Sequence, residues 1–250
     1  MSGKIRVGIG GWVFEPWRGT FYPEGLRQKD ELAYVGEHLT ATEINATYYS
    51  TQKPATFAGW ARTVPDGFQF AVKASRFCTN RRVLAESGDS IAKFVHQGLV
   101  ELGDRLGPVL WQFMPTKKFD AEDFGAFLKL LPAGVDGVPL RHALEVRHES
   151  FDDPAFFDLA HAAGAAVVYA DHPEYPALRG RDVGFSYARL MRTREEEPTG
   201  YSPQEIDGWA AQAQAREQAA KGDVYAFFIS GAKVRAPAAA QAMIVALEQR

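Results

Sequence analysis

Cysteine is nearly absent from this chain. Cys78 is the only one in 250 residues, which excludes an intramolecular disulfide and a cysteine-rich zinc site. No run of about 18 apolar residues occurs, the length that a membrane-spanning helix needs, so we expect no membrane partner. The first residues, MSGKIRVGIGG, lack the apolar core of a signal peptide. These absences lead us to expect a cytoplasmic protein.

An excess of charge of one sign is also missing. The formal net charge is −3 and the sequence pI is about 6.1, so global charge gives no argument for a nucleic-acid partner. Neither a phosphate-binding glycine loop nor the nucleophile elbow of hydrolases occurs. Histidine is scarce, with six residues and no HxH or HExxH spacing, so the sequence indicates no histidine-based metal centre.

What the chain does contain is an alternation of short β-rich runs and helical stretches. Strands are predicted at 7–12, 41–49, 68–75, 108–113, 142–148, 165–171, 184–191 and 223–230. Helices are predicted at 29–38, 54–62, 89–105, 120–131, 153–163, 203–220 and 237–249, with N-caps at Asp120, Asp153 and Ser202. Eight β/α units without a linker predict an α/β fold, a single (β/α)8 TIM barrel over residues 1–250.

Side-chain alternation predicts which residues point into that barrel. In HALEVRH (142–148), Leu144 and Val146 would face the helices, which leaves Glu145 and Arg147 inside. The same count at the other strands adds further inward residues: Trp12, Glu43, Asn45, Lys73, Gln112, Asp171 and Arg189. The charged members, three acids and three bases, sum to zero, as charges removed from water require.

Active sites of this fold lie at the C-terminal ends of the strands, where these residues would meet. We therefore predict a ligand site there, and a purely structural ion-pair network is the alternative. The loops after the strands carry further cations: Arg76, Arg81, Arg82, Arg179, Arg181, Arg192, Arg194, Lys233 and Arg235. They favour an anionic ligand, unless they are solvated loop charges that the acidic run 195–197 offsets.

The inward carboxylates suggest proton-transfer chemistry. Glu43, Glu145 and Asp171 include candidates for an acid/base pair if Arg147 or Lys73 separates their pKa values, which suits glycoside hydrolysis or isomerisation. Lys73 is alternatively a Schiff-base lysine, although neighbouring acids would keep it charged and paired. No cofactor is predicted. A divalent ion is a weaker alternative, with oxygen-rich ligation from a set at the strand ends: Glu145, His148, Asp171 and His172.

Several stretches together resemble the YecE-like family of TIM-barrel proteins of unknown function. They are GIGGW (8–12), WRGTFYP (17–23), EINATYY (43–49), FQFAVKAS (68–75), LWQFMP (110–115), EVRHESF (145–151) and ARLMR (188–192). The resemblance covers nearly the whole chain and implies a barrel with a polar pocket, but no established reaction. The positions that match the recurrent polar residues of the family are Glu43, Asn45, Lys73, Gln112, Glu145, Arg147, His148 and Arg189.

The chain departs from this family pattern at three places. A histidine common after strand 3 is replaced by Asn80, and the His-Gly that commonly follows Arg-Leu in strand 7 is replaced by Met191 and Arg192. An Asn-Asn pair common at the end of strand 8 is replaced by Ile229 and Ser230. Two candidate acid/base or metal-binding imidazoles are thereby lost, which indicates a different ligand or a loss of activity.

Three functions remain open from the sequence. The leading hypothesis is a pocket for a small polar or anionic ligand, sugar-like or phosphorylated, on which Glu43 and Glu145 transfer protons. Arg147 and Arg189 would bind its anionic part, and other polar residues would orient it: Lys73, Asn45 and Gln112. The alternatives are a metal-assisted phosphoesterase acting on nucleic acid, by fold analogy alone, and a non-catalytic ligand-binding or interaction protein.

Overall fold

The structure is a computed structural model that describes residues 3–250. Its strands are β1 (Ile5–Gly10), β2 (Ala41–Ile44), β3 (Gln69–Lys73), β4 (Leu106–Gln112), β5 (Gly134–Val135), β6 (Val138–Pro139), β7 (His142–Glu145), β8 (Ala166–Val167), β9 (Tyr169–Asp171), β10 (Phe185–Leu190) and β11 (Asp223–Phe228). Its α-helices are α1 (Glu31–His38), α2 (Ala46–Tyr49), α3 (Pro54–Thr63), α4 (Arg76–Thr79), α5 (Gly88–Val95), α6 (Ala121–Leu130), α7 (Pro154–Ala162), α8 (Pro203–Ala220) and α9 (Ala236–Glu248).

Nine of these strands form one parallel sheet in the order β8-β7-β4-β3-β2-β1-β11-β10-β9. Its two terminal strands, β8 and β9, are halves of one stretch of chain, separated by Val168, whose N–H donates to the carbonyl of Leu144 at 2.9 Å. Since β8 pairs with β7 and β9 pairs with β10, the two ends of the sheet meet and the barrel closes. The predicted (β/α)8 barrel is confirmed, with β5 and β6 as a small antiparallel hairpin outside it.

The interior of the barrel is layered. At the N-terminal ends of the strands, Arg141 donates to Asp223 (3.0 Å) and to the hydroxyl of Tyr225 (2.6 Å), so this end is closed by polar side chains. The middle layer is apolar, and its buried members are Ala41, Ala71, Leu110, Ala143, Ala166, Val168, Tyr187 and Phe227. The packing is tight: a Cβ added at Gly8 would lie 2.0 Å from the carbonyl oxygen of Ala41. This apolar layer therefore separates the polar N-terminal end from the polar side chains at the C-terminal ends of the strands.

Helix boundaries follow the local capping signals. The three predicted N-caps are confirmed: Asp120 accepts from the N–H of Asp123 (2.9 Å), Asp153 accepts from that of Ala155 (2.8 Å), and Ser202 forms a capping box with Glu205. Each satisfies a backbone donor that the first helical turn leaves free. Among residues 3–250, none of the helices combines the length and apolar character needed to cross a bilayer.

Two sequence predictions about elements were wrong in detail. The strand predicted at 41–49 ends at Ile44, and residues 46–49 form the single helical turn α2. The helix predicted at 89–105 breaks at Gly98, whose φ of +118° lies outside the helical region, and continues as a 3-10 segment from Leu99 to Arg105. The Cα of Pro54 would lie 2.6 Å from a Cβ at position 98, so the break also brings α3 close.

Candidate functional site

A cavity of about 610 Å³ opens at the C-terminal ends of the barrel strands. It is bordered by the ends of β1, β3, β4, β10 and β11 and by the loops that follow them. Its lining residues are Gly10, Gly11, Trp12, Val13, Trp17, Asn45, Ala46, Tyr49, Lys73, Gln112, Arg147, Arg189, Phe228, Ile229, Ser230 and Lys233. Four of these side chains are cationic, and none of these lining residues is an aspartate or glutamate.

Arg189, on β10, forms the floor of the cavity and is almost fully buried. Its guanidinium donates to both carboxylate oxygens of Glu43 on β2, at 3.2 and 3.0 Å, and to Oε2 of Glu145 at the end of β7. The hydroxyl of Tyr187 donates to Glu43 Oε2 at 2.7 Å. Each oxygen of Glu43 therefore accepts from a buried donor, which fixes the plane of the Arg189 guanidinium.

Glu145 is engaged just as fully from its other side. Arg147 donates its Nε to Oε1 at 2.7 Å, and Gln112 donates its Nε2 to Oε2 at 2.9 Å. Burial by itself would raise the pKa of Glu145, but the guanidiniums of Arg189 and Arg147 outweigh burial and lower the pKa to about 2. Both carboxylates are fully buried and lie beneath the cations that line the cavity.

Lys73, at the end of β3, is the cation that this network leaves unpaired. Its side chain is buried and its ammonium lies 4.2 Å from the centre of the Tyr48 ring. Within residues 3–250 this ammonium makes neither a hydrogen bond nor a salt bridge, because the nearby carboxylate oxygens are taken by Arg189 and Arg147. Burial, followed by repulsion from Arg189, lowers the pKa of Lys73 to about 8.

Lys233, just after β11, is a second ammonium of this kind. Its Nζ lies 4.3 Å from the centre of the Phe14 ring and 5.3 Å from that of Trp17, and burial lowers its pKa. The indole N–H of Trp17 donates to the carbonyl oxygen of Lys233 at 2.9 Å. The aromatic first loop thus positions a cation at the wall of the cavity, after β11.

Asp171 does not join the cluster, contrary to the prediction from alternation. It shares the helix-facing side of its strand with Val167 and Tyr169, and its Oδ2 accepts from the Tyr201 hydroxyl at 2.9 Å. Burial raises its pKa. Without Asp171, the predicted balance of three acids and three bases becomes two carboxylates and three cations, so the cluster is positive when Lys73 is protonated.

The remaining predicted ligand-binding residues lie at the cavity with one exception. Trp12 and Asn45 line it, and Asn45 also donates to the carbonyl of Glu43 at 3.4 Å. His148 does not line it: its Nδ1 accepts from the N–H of Ser150 at 3.1 Å and caps a short helical turn.

Most loop cations predicted to surround the mouth point elsewhere. Arg81 donates to the hydroxyl of Ser90 at 2.8 Å, and Arg181 pairs with Asp158 on α7. Arg194 pairs with Glu205 at the start of α8. Local acidic or polar partners therefore hold these side chains, and of the loop cations predicted there only Lys233 lines the cavity.

The alternative metal ligands are dispersed as well. Glu145 accepts from two guanidiniums, Asp171 faces away from it, and His172 stacks on Tyr175 with ring centres 3.8 Å apart. Within residues 3–250, no group of three or more His, Cys, Asp and Glu side chains is arranged to hold a metal ion.

The residues at which the chain departs from the family pattern have assignable contacts. Asn80 donates to the Tyr48 hydroxyl at 3.1 Å, and so supports the ring that carries Lys73. Met191 is buried, whereas Arg192 is largely exposed, 3.8 Å from Asp171. Two further departures, Ile229 and Ser230, line the cavity, and Ser230 has a φ of +65°.

Two side chains that matter here were not predicted as site residues. Tyr187 donates to Glu43 from two positions before Arg189, and the same alternation that selected Arg189 could have selected it. Lys233 was noted only as a loop charge, because its position depends on rings more than 200 residues away in the chain.

A family profile and a curated protein match this chain over most of its length. The profile of the family "Protein of unknown function DUF72" matches residues 6–250. The UPF0759 protein YunF of Bacillus subtilis is 24% identical over 254 residues, covering 90% of this chain and 88% of that protein.

Crystal structures of two DUF72 family proteins share the fold. TM1631 of Thermotoga maritima superposes with a TM-score of 0.73 at 23% identity, with 98% of each chain covered. EF0366 of Enterococcus faecalis superposes with a TM-score of 0.71 at 18% identity, covering 98% of this chain and 95% of that one.

Proposed function

This chain belongs to the DUF72 family, for which YecE-like is another name, and we propose that it binds a small organic anion at the mouth of its barrel. The observation that carries the proposal is the lining of the cavity, with four cations and no carboxylate. Among the described residues, two of these cations, Lys73 and Lys233, form no salt bridge, so an anion that enters gains an attraction that no carboxylate has taken up.

The size and shape of the cavity favour a sugar-phosphate or a carboxylic acid of similar size. A volume of about 610 Å³ lies within the range of small-molecule sites. The Arg147 side chain is partly exposed; its Nε donates to Glu145 and its Nη1 donates to the Tyr175 hydroxyl at 3.4 Å, which leaves Nη2 for a phosphate or carboxylate. Asn45 and Gln112 line the same space and supply neutral polar contacts.

In this proposal, Glu43 and Glu145 support the guanidiniums rather than transfer protons. Every carboxylate oxygen accepts at least one hydrogen bond, and the pKa of Glu145 lies near 2, which is far from the value that suits a general acid at neutral pH. Their negative charge allows the buried Arg189 and the half-buried Arg147 to lie close together.

Calorimetric titration with inorganic phosphate and with malonate, at low ionic strength, tests this proposal. We expect saturable binding of at least one anion, weakened about tenfold or more in Arg147→Met through loss of a charge-assisted contact. Arg181→Met is the matched control, since that guanidinium pairs with exposed Asp158 away from the cavity. Absence of saturable binding, or equal binding by the two variants, would contradict the proposal.

A further inference from the structure

We propose that Lys73 is a nucleophile that forms an iminium with a carbonyl-bearing anion in the cavity, such as a 2-oxo acid or a phosphorylated ketose. This inference rests on the anion-binding function proposed above and names the substrate class of the same site. It depends on three features of the structure: where the amine lies, what it lacks, and what surrounds it.

The amine lies where a bound carbonyl would reach it. Lys73 ends β3 at the C-terminal side of the barrel, and its side chain lines the cavity, although only 8% of the residue is exposed. The hydroxyl of Thr47 donates to the backbone carbonyl of Lys73 at 2.7 Å, and the Tyr48 ring lies against the ammonium. The first contact fixes the backbone of Lys73 and the second restrains its side chain, and a covalent step requires such positioning.

The amine also lacks the partner that would keep it protonated. A lysine next to Glu43 and Glu145 would ordinarily form a salt bridge and be inert, but Arg189 and Arg147 occupy those carboxylates instead. The remaining neighbour, the Tyr48 ring, attracts the ammonium only weakly. With the pKa lowered to about 8, a substantial minority of the amine is neutral and nucleophilic near neutral pH.

The surroundings select an anionic carbonyl compound over a neutral one. Arg147 has its Nη2 free for a carboxylate or phosphate, and Lys233 lines the same cavity and could meet a second anionic group. A bound anion would raise the pKa of Lys73 and favour the protonated ammonium. The attack therefore requires that the amine be neutral when the carbonyl group reaches it. In this arrangement the carbonyl carbon of the ligand lies beside the Lys73 amine, and the carboxylate or phosphate of the ligand lies beside the Arg147 guanidinium.

The step balances without a further reactant. The neutral Lys73 amine bonds to the carbonyl carbon, the C=O π pair moves to oxygen, and an N–H proton transfers to that oxygen to give a carbinolamine. The hydroxyl then leaves as water, taking up the proton that the ammonium had released, and the nitrogen lone pair forms the C=N bond. Protonated lysine and a carbonyl thus give an iminium and water.

Reductive trapping tests this step on the full-length protein. The protein is incubated with pyruvate or with dihydroxyacetone phosphate, reduced with cyanoborohydride, and mapped by peptide mass spectrometry. We expect a reduced adduct at Lys73 that forms roughly tenfold or more faster than at any other lysine, because its amine lies in the cavity beside the bound anion and burial lowers its pKa to about 8. Inorganic phosphate should slow the labelling by competition.

Lys129→Met is the matched variant, since it removes an exposed ammonium on α6 that does not line the cavity and should leave labelling at Lys73 in place. Mapping the wild-type protein locates the adduct even if Lys73→Met fails to fold. Adducts spread evenly over the lysines, or none at Lys73, would overturn the inference. If phosphate or malonate still binds in that case, the anion-binding function stands and only the nucleophile at Lys73 is refuted. If an adduct forms at Lys73 but neither anion binds, the nucleophile stands and the anion-binding function is refuted.

Discussion

Removing the charge of Glu145 is the sharpest test of the buried network. In Glu145→Gln the side chain keeps its shape, but Arg147 loses its only carboxylate and Arg189 keeps only Glu43. Breaking a buried ion pair by removing one partner costs about 3–5 kcal/mol, because a charge is left uncompensated. We expect the free energy of unfolding to fall by an amount at the lower end of this range, since glutamine still forms hydrogen bonds.

The pKa of the same residue leads to a similar magnitude. Its fall from 4.5 to about 2 corresponds to about 3 kcal/mol of stability. Because the folded-state pKa is depressed, this stability is present above about pH 4.5 and is lost as the pH falls from there towards 2. Glu145→Gln should therefore be less stable than wild type at pH 7, and the difference should shrink over that acidic window.

Urea denaturation at several pH values measures both effects. In thermal denaturation at neutral pH, the melting temperature of Glu145→Gln should lie roughly 6–12 °C below that of the wild type. Asp158→Asn is the matched control: its pair with Arg181 is exposed, so its loss should change the free energy of unfolding by at most about 1 kcal/mol. A loss below 1 kcal/mol for Glu145→Gln, or a difference from wild type that does not depend on pH, would refute the network as described.

Three further predictions concern the face of the barrel that packs against the helices. Tyr201→Phe should lower the free energy of unfolding in urea by about 1.5–3 kcal/mol, because Asp171 loses the hydroxyl that donates to it. Phosphate binding should not change, and a loss of that binding would indicate that Asp171 belongs to the site. Ser202→Ala removes the capping box with Glu205 and should cost about 1 kcal/mol by the same assay, whereas Ser202→Asp should cost less. Lys221→Gly should raise the melting temperature, because this exposed residue ends α8 with a φ of +51°; Lys221→Ala should not.

The barrel could be predicted because its signals are local. Strand runs and capping residues repeat along the chain, and eight such units leave few topologies to consider. Alternation was informative where a strand has one apolar and one polar face, as at Glu43, Lys73, Glu145 and Arg189. All four side chains lie at the C-terminal end of the barrel, on the inner side of their strands.

Alternation was misleading at Asp171 for a physical reason. The stretch 165–171 has small or apolar residues on both faces, because a parallel strand in a closed barrel is covered on both sides. The sequence therefore contains no contrast from which to read the orientation of the strand. The break at Val168, where pairing passes from β7 to β10, is likewise invisible in the residue types.

By itself, the sequence determined the fold, the end of the barrel that carries the polar residues, and most of their identities, because periodicity and capping act over a few neighbouring residues. Only the tertiary structure decided which charges pair. Arg189 lies 146 residues from Glu43 along the chain, and differences of an ångström determine which cation a carboxylate accepts from. Those distances bury both carboxylates beneath the floor and leave Lys73 unpaired at its surface, and the proposal of an anion site rests on this arrangement.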